Sequence, residues 1–362
     1  MCISNIVKVK ENKSSFSLSD MIRICKRENN SNRDFLFVNK YLGKHHPCRA
    51  KDTIRLFSEF YNELSNNYKL KNQRILLVGF AETATGLSQY IMHRSLLDKN
   101  LNIVYYIQTT RENIDTDIKE INFQEEHSHA KSQTLYWNSE EIPEFDYILF
   151  IDDEITTGKT ICNFINKLNI NTNYAVGSIL NWLSKENKDR LNAELIYLIN
   201  GDLHDRIPIL FPKETTKVNN FNESLNYNQI LPNQNQPRLG MTPKQFKNYL
   251  GYYYNLLNKY STTIANKSIN VLGTEENNYK AILLAYLYNG TVQSFTRSPI
   301  VTSDDYFIQN GIIINSSYES NRKNFLYNIK EYDKVILLAE TTNKEWRNEV
   351  LNIFPNLEVK YI

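Results

Sequence analysis

Short apolar runs alternate with longer amphipathic ones along this chain, and that order predicts strands interleaved with helices. Arg74–Val78 (RILLV), Asn102–Gln108 (NIVYYIQ) and Tyr147–Ile151 (YILFI) are brief and free of Gly and Pro, which suits strands of a parallel sheet covered on both faces. The first leads into an apolar helix containing LSQYIMH, the third into a helix over Ile161–Leu168. The alternation returns late in the chain, with strands expected at Ser268–Leu272, Thr291–Phe295, Gly311–Asn315, Lys334–Ala339 and Glu358–Ile362 and a helix at Glu276–Tyr288. From Pro212 to Pro243 the chain is rich in Asn, Pro and Gln with little periodicity, the mark of an extended linker. TPKQFKNYLGYYYNLLNKY then begins on Thr-Pro and keeps helical spacing over about five turns. The expectation is an α/β domain over 1–211, a linker over 212–243 and a second, smaller α/β domain over 244–362, a division suited to 362 residues.

The candidate chemistry gathers at YILFIDDEITTGKT, Tyr147 to Thr160. Asp152 and Asp153 fall at the carboxyl end of an apolar strand, where open parallel sheets place their ligands. Two adjacent carboxylates there can accept hydrogen bonds from a cis-diol or hold waters of a bound Mg²⁺. Thr156, Thr157, Gly158, Lys159 and Thr160 form a turn into the next helix, where a phosphate meets free N–H groups and hydroxyls, and Gly158 has no Cβ to block its approach. A Walker B strand also ends in acids, but its partner G-x-x-x-x-G-K-[ST] is absent. An ordinary strand-to-helix junction capped by Asp explains one Asp and one Thr, and leaves the rest of the string unexplained.

The string closely resembles the phosphoribosyl pyrophosphate (PRPP) signature of type I phosphoribosyltransferases, enzymes with a Rossmann-like parallel-sheet domain. Two positions depart from that pattern. Glu154 replaces the usual aliphatic residue, and Thr156 stands where hypoxanthine-type members carry an acid, which argues against that subclass and moves proton transfer elsewhere. The upstream loop Gly79–Gly86 (GFAETATG) matches the family's pyrophosphate loop, so Ala81, Glu82 and Thr83 are expected at the pyrophosphate. Arg111, after the strand ending at Gln108, can fork two hydrogen bonds onto the same group; read alone it is as well explained as a solvated strand end. Between Arg111 and the signature, Glu125, Glu126, His127 and His129 lie where type I enzymes close a lid, and Glu126, His127 and His129 are the expected proton-transfer groups. The two His and their neighbouring acids are also readable as a metal site, though no Cys or third His completes a tetrahedral set.

More narrowly, GFAETATG, TTR, EEHSHA and DDEITTGKT in this order resemble the phosphoribosyltransferase of bacterial tellurite-resistance and stress gene clusters, which is similar to orotate phosphoribosyltransferase and is followed by a TRSP domain. Thr296-Arg297-Ser298-Pro299 stands on the expected side, and NKYLGKHHP (39–47) resembles that family's N-terminal segment. The resemblance implies phosphoribosyl transfer from PRPP with Mg²⁺ to or from a base-like acceptor. The 5-phosphate would lie at Thr156–Thr160, the ribose at Asp152 and Asp153, and Mg²⁺ at the same acids through water or ribose hydroxyls. The acceptor would dock under a hood near Lys40, Lys44, His45 and His46, unless that run is a surface loop. A ribosyl-phosphate sensor with TRSP as output module is the reading from another class.

Charge leaves this intact. With 42 basic and 40 acidic residues the formal charge is +2, so no global field draws in nucleic acid. Cys2, Cys25, Cys48 and Cys162 are scattered without a C-x-x-C, which disfavours structural zinc and a disulfide framework. The N-terminus lacks an apolar signal core and no run approaches a membrane span. A cytoplasmic enzyme with small-molecule substrates is expected, with a homodimer as its candidate assembly and neither membrane nor nucleic acid as partner.

The two halves also align as a degenerate repeat. ILLVGFAET corresponds to NVLGTEEN, YIQTTRE to QSFTRSP and YILFIDDEITTG to KVILLAETTNKE, with 41 positions from Arg111 to Asp152 and 43 from Arg297 to Glu340. On that alignment the second domain keeps a strand-end anion pocket at Gly273, Thr274, Glu275, Thr296 and Arg297. Two ordinary strand-helix units sharing turn chemistry are the alternative, which the sequence alone favours slightly. Arg111 and Arg297 on non-equivalent strands would eliminate the repeat.

Overall fold

In a computed structural model the described residues are 3, 6–28, 35–123, 133–204, 217–232, 234–258 and 268–362. The chain opens with β1 (Val7–Asn12), α1 (Leu18–Met21), β2 (Ile22–Lys26), β3 (Phe35–Asn39), β4 (Cys48–Arg49) and α2 (Ala50–Asn66). Next come β5 (Arg74–Gly79), α3 (Thr85–Asp98), β6 (Asn102–Gln108), β7 (Glu120–Phe123), β8 (Gln133–Tyr136), β9 (Tyr147–Ile155), α4 (Lys159–Leu168), β10 (Asn173–Asn181), α5 (Lys185–Leu191) and β11 (Glu194–Leu203). The remainder is β12 (Val218–Asn219), α6 (Pro243–Leu250), β13 (Ile269–Gly273), α7 (Tyr279–Leu287), β14 (Thr291–Ser294), β15 (Gly311–Asn315), β16 (Lys323–Tyr327), β17 (Lys334–Ala339), α8 (Lys344–Ile353) and β18 (Leu357–Tyr361).

These elements form two compact units. The first comprises Met1–Leu18, Leu56–Pro208 and Leu231–Tyr254, the second Ser19–Arg55, Ile209–Ile230 and Asn255–Ile362. The first unit holds a six-stranded sheet in the order β1-β11-β10-β9-β5-β6, parallel except for the antiparallel edge strand β1. Its central strands are buried along their apolar length, and Leu76, Val78 and Phe150 pack with Phe164 of α4 in one core cluster. The second unit holds a five-stranded sheet in the order β18-β17-β13-β14-β4, again parallel apart from one antiparallel edge, β4.

The repeat alignment holds at the level of topology. The run β6-β5-β9-β10 in the first sheet matches β14-β13-β17-β18 in the second, with an antiparallel hairpin, β7–β8 or β15–β16, inserted at the same place in each. Gly79 is level with Gln108, and Gly273 with Ser294. Arg111 and Arg297 therefore each follow their equivalent strand by three positions. The hairpins attach alike, through Thr110 to Thr134 and Thr296 to Phe325.

Several boundaries differ from the sequence expectation. The stretch read as a linker is packed: Val218 and Asn219 pair with β15, Leu231 bridges to Ile114, and Met241 exchanges both backbone hydrogen bonds with Tyr106, at 2.8 and 2.7 Å. Its scattered apolar residues Leu231, Leu239 and Met241 are buried, which composition averaged away. The long helix expected after it stops at Leu250, because Gly251 takes φ +47. That helix, α6, belongs to the first unit, where Phe246 meets Tyr106 edge to face at 5.5 Å. The segment read as a hood, residues 39–47, lies in the second unit. There His46 stacks on Phe307 at 4.6 Å, and Gly43, at φ +62, leaves no room for a Cβ against Val292. Lys44 and His45 are buried in the same unit; Cys48 and Arg49, directly after residue 47, pair with β14 as the sheet's edge.

Candidate functional site

The candidate site forms where β5, β6 and β9 end. β9 runs four residues further than expected because β10 continues the pairing to Asn181 opposite Ile155, whereas pairing with β5 stops at Gly79 and Ile151. Asp152, Asp153 and Glu154 thus extend beyond the end of β5 and are half-buried. The backbone N–H of Asp153 donates to Asp152 Oδ1 at 2.9 Å, which orients that carboxylate.

The turn Thr156–Gly158 follows, and α4 begins at Lys159, two residues earlier than its periodicity indicated. Gly158 adopts φ +68 and no side chain caps the helix start. Lys159 N–H lies 3.4 Å from Thr157 Oγ1, and the first helical hydrogen bond runs from Cys162 to Gly158 at 3.0 Å. An uncapped start carries unmatched donors and the positive end of the helix dipole, the ordinary setting for an oxyanion. A Cβ at Gly158 would approach Leu183 Cδ2 to 3.1 Å.

Phe80–Ala84 forms the second loop, between β5 and α3, and its Ala81–Glu82 peptide is cis. Phe80 N–H donates to Ile151 O at 3.0 Å, and Thr109 N–H to Gly79 O at 2.9 Å. Ala81 N–H donates to Thr109 Oγ1 at 2.8 Å, Gln133 Nε2 donates to Ala81 O at 2.8 Å, and Thr109 Oγ1 donates to Gln133 Oε1. The loop is thereby tied to β6 and to the base of hairpin β7–β8. Gly79 is obligatory for packing, since a Cβ would fall 2.0 Å from Ser88 Oγ of α3. Thr85 Oγ1 donates to Glu82 O at 3.1 Å.

The structure therefore brings Asp152, Asp153, Thr156 to Thr160 and the Ala81-Glu82-Thr83 loop to the carboxyl edge of one sheet, with half-buried Arg111 just beyond β6. Glu125, Glu126, His127 and His129 lie outside the described residues, between β7 and β8. Gln133 is the residue sequence reading missed. Its partner Ala81 is 52 positions away, and only the fold joins them. Among the described residues no group of three His, Cys, Asp or Glu forms a metal set. The Asp pair still offers the oxygen donors a hard cation takes, with further ligands from substrate and water. Among the described residues no helix is long and apolar enough to cross a membrane.

In the second unit the same edge carries the other expected pocket. Gly273 ends β13, Thr274 and Glu275 open the loop to α7, and Thr296 and Arg297 follow β14. The aspartates are replaced there: sheet register sets Leu337 level with Leu272 as Phe150 is with Val78, so Ala339 and Glu340 occupy the places of Asp152 and Asp153.

Comparison with known proteins gives the family. Residues 21–200 match a family described as phosphoribosyl transferase, and residues 235–354 match the TRSP domain found C-terminal to it. No curated protein matches the chain. Among solved structures, adenine phosphoribosyl transferase from Trypanosoma brucei, in complex with AMP, pyrophosphate and ribose-5-phosphate, shows 16% identity over 50% of this chain and 76% of its own, with a TM-score of 0.35. The Rhodothermus marinus adenine phosphoribosyltransferase shows 13% identity over 51% and 96%, TM-score 0.34. The Giardia lamblia enzyme complexed with 9-deazaadenine shows 12% identity over 51% and 98%, TM-score 0.36. Those scores add no argument, and the assignment rests on the two family matches. By them the chain belongs to the family in which a phosphoribosyl transferase domain is followed by a TRSP domain.

Proposed function

We propose that the first unit transfers a phosphoribosyl group between PRPP and a base-like acceptor. The observation that carries this reading is the uncapped start of α4 behind Gly158, placed directly after two carboxylates at the end of β9. In the proposal the 5-phosphate lies against Thr156–Thr160, accepting from backbone N–H groups and threonine hydroxyls. Asp152 and Asp153 accept from the ribose hydroxyls and stabilise the positive charge that grows on the ring as the anomeric bond breaks. The Ala81-Glu82-Thr83 loop and Arg111 receive the pyrophosphate that leaves. Asp152 and Asp153 would hold Mg²⁺, which when bound would supply neutralisation of phosphate charge. Glu126, His127 and His129, between β7 and β8, are the proposed proton-transfer groups and lid.

The test is pyrophosphate release from PRPP with Mg²⁺ and a panel of bases. Wild-type protein is expected to release it with at least one base. The double variant Asp152→Asn, Asp153→Asn is expected to lose the activity by about a thousandfold, the scale of removing a main source of charge stabilisation, while its melting temperature holds. PRPP binding without pyrophosphate release in any arm would establish the sensor reading instead.

A further inference from the structure

The second unit repeats the strand order of the first but replaces the chemistry at its carboxyl edge. Glu275 stands where the first unit has Ala81, two positions after the glycine that ends the strand. It is fully buried. Ser316 Oγ donates to its Oε1 at 2.9 Å, and Asn324 Nδ2 donates to the same oxygen. Asn324 on β16 is the counterpart of Gln133 on β8, each preceding the residue that bridges its hairpin to the neighbouring strand end, so the tie between hairpin and loop is kept.

Beyond those bonds, Glu275 Oε2, Asn278 Oδ1, Asn324 Oδ1 and the hydroxyls of Thr274, Ser294 and Ser317 are buried without a hydrogen-bond partner. None of these six residues is more than 2% exposed. A buried polar atom left unpaired costs about 1–3 kcal/mol, so six at one sheet edge mark a place built for a polar guest. Three of them are obligate acceptors and three are hydroxyls, so the guest must bring donors.

Phosphate fits badly here. A buried carboxylate occupies the loop where the first unit has a methyl group. At the other loop, Asn343 Oδ1 accepts from Trp346 N–H at 3.0 Å and caps α8, whereas α4 has no such cap. Arg322 is engaged within the unit, donating to Ser316 Oγ at 2.7 Å and lying 3.5 Å from Glu319.

We propose that this edge of the second unit binds an unphosphorylated, hydroxyl- or amine-donating small molecule of the sugar or nucleoside class, with Glu275 as its central acceptor. This proposal departs from the sequence-level expectation of an anion pocket. The proposal is independent of catalysis in the first unit, whose failure would leave it standing.

Hydrogen exchange on the full-length wild-type protein tests it, with adenosine, ribose and pyrophosphate as separate probes. Adenosine or ribose is expected to slow exchange at 273–280 and 315–324, and pyrophosphate is not. Protection by ribose alone would identify a sugar site; protection by adenosine, a nucleoside site. Glu275→Gln, read by calorimetry, is expected to weaken the protecting probe at least tenfold. No protection by adenosine or ribose, protection by pyrophosphate, or unchanged affinity in Glu275→Gln overturns the proposal. If Glu275→Gln fails to fold, the wild-type exchange pattern still decides.

Discussion

Gly158 shows how a single residue can set the terms of a site. Its φ of +68 is unfavourable for any residue with a Cβ, by about 1 kcal/mol or more. Alanine there would also press on Leu183. Gly158→Ala is expected to lower stability by about 1–2 kcal/mol and to raise the KM for PRPP at least tenfold, read by denaturation and by pyrophosphate release at varied PRPP. A KM unchanged in a folded variant would remove the 5-phosphate from this turn. Gly158 and its threonines were legible in the sequence because they are contiguous. Gln133 was not, because its role depends on Ala81 and Thr109, which approach it only after the sheet has formed.

At the scale of elements, the hairpin β7–β8 is coupled to the pyrophosphate loop through Gln133. Replacing it with leucine leaves Ala81 O and the Thr109 hydroxyl without that partner, a cost of about 1–3 kcal/mol. Gln133→Leu is therefore expected to lower kcat by about tenfold or more while circular dichroism stays native, since both strands keep their backbone pairing. Equal kcat in variant and wild type would show that the hairpin does not position the loop. Seven expected strands, Asn102–Gln108 and Gly311–Asn315 among them, were readable from apolar runs and fall within one residue of the observed ones, whereas β10 and β11 were not read. β16 was not read, because KNFLY alternates too briefly to be separated from a loop. The acids of β9 were read as following the strand, since a carboxylate pair looks like a terminus until the neighbour β10 is known to continue beside it.

For the whole molecule, acid stability has a definite sign. His93 is fully buried, stacks on Tyr254 at 5.4 Å and donates from Nε2 to the Tyr254 carbonyl. Burial pushes its pKa down to about 4, although that carbonyl opposes the shift. Unfolded, the ring takes a proton near its ordinary value of about 6.5. Its contribution is therefore complete above that value and is lost as pH falls toward 4, by up to about 3 kcal/mol. Denaturant midpoints at pH 7 and pH 4.5 are expected to differ less in His93→Gln than in wild type; an equal difference would contradict the assignment. The sequence by itself determined the alternation of strand and helix and the PRPP-like string, because each is written in contiguous residues and their spacing. Only the tertiary structure decided that residues 39–47 pack in the second unit and that 231–254, expected as linker and second-domain helix, pack in the first, and which buried polar groups gather at the second unit's sheet edge. Both depend on which side chains meet across long stretches of chain, and periodicity carries no record of those partners.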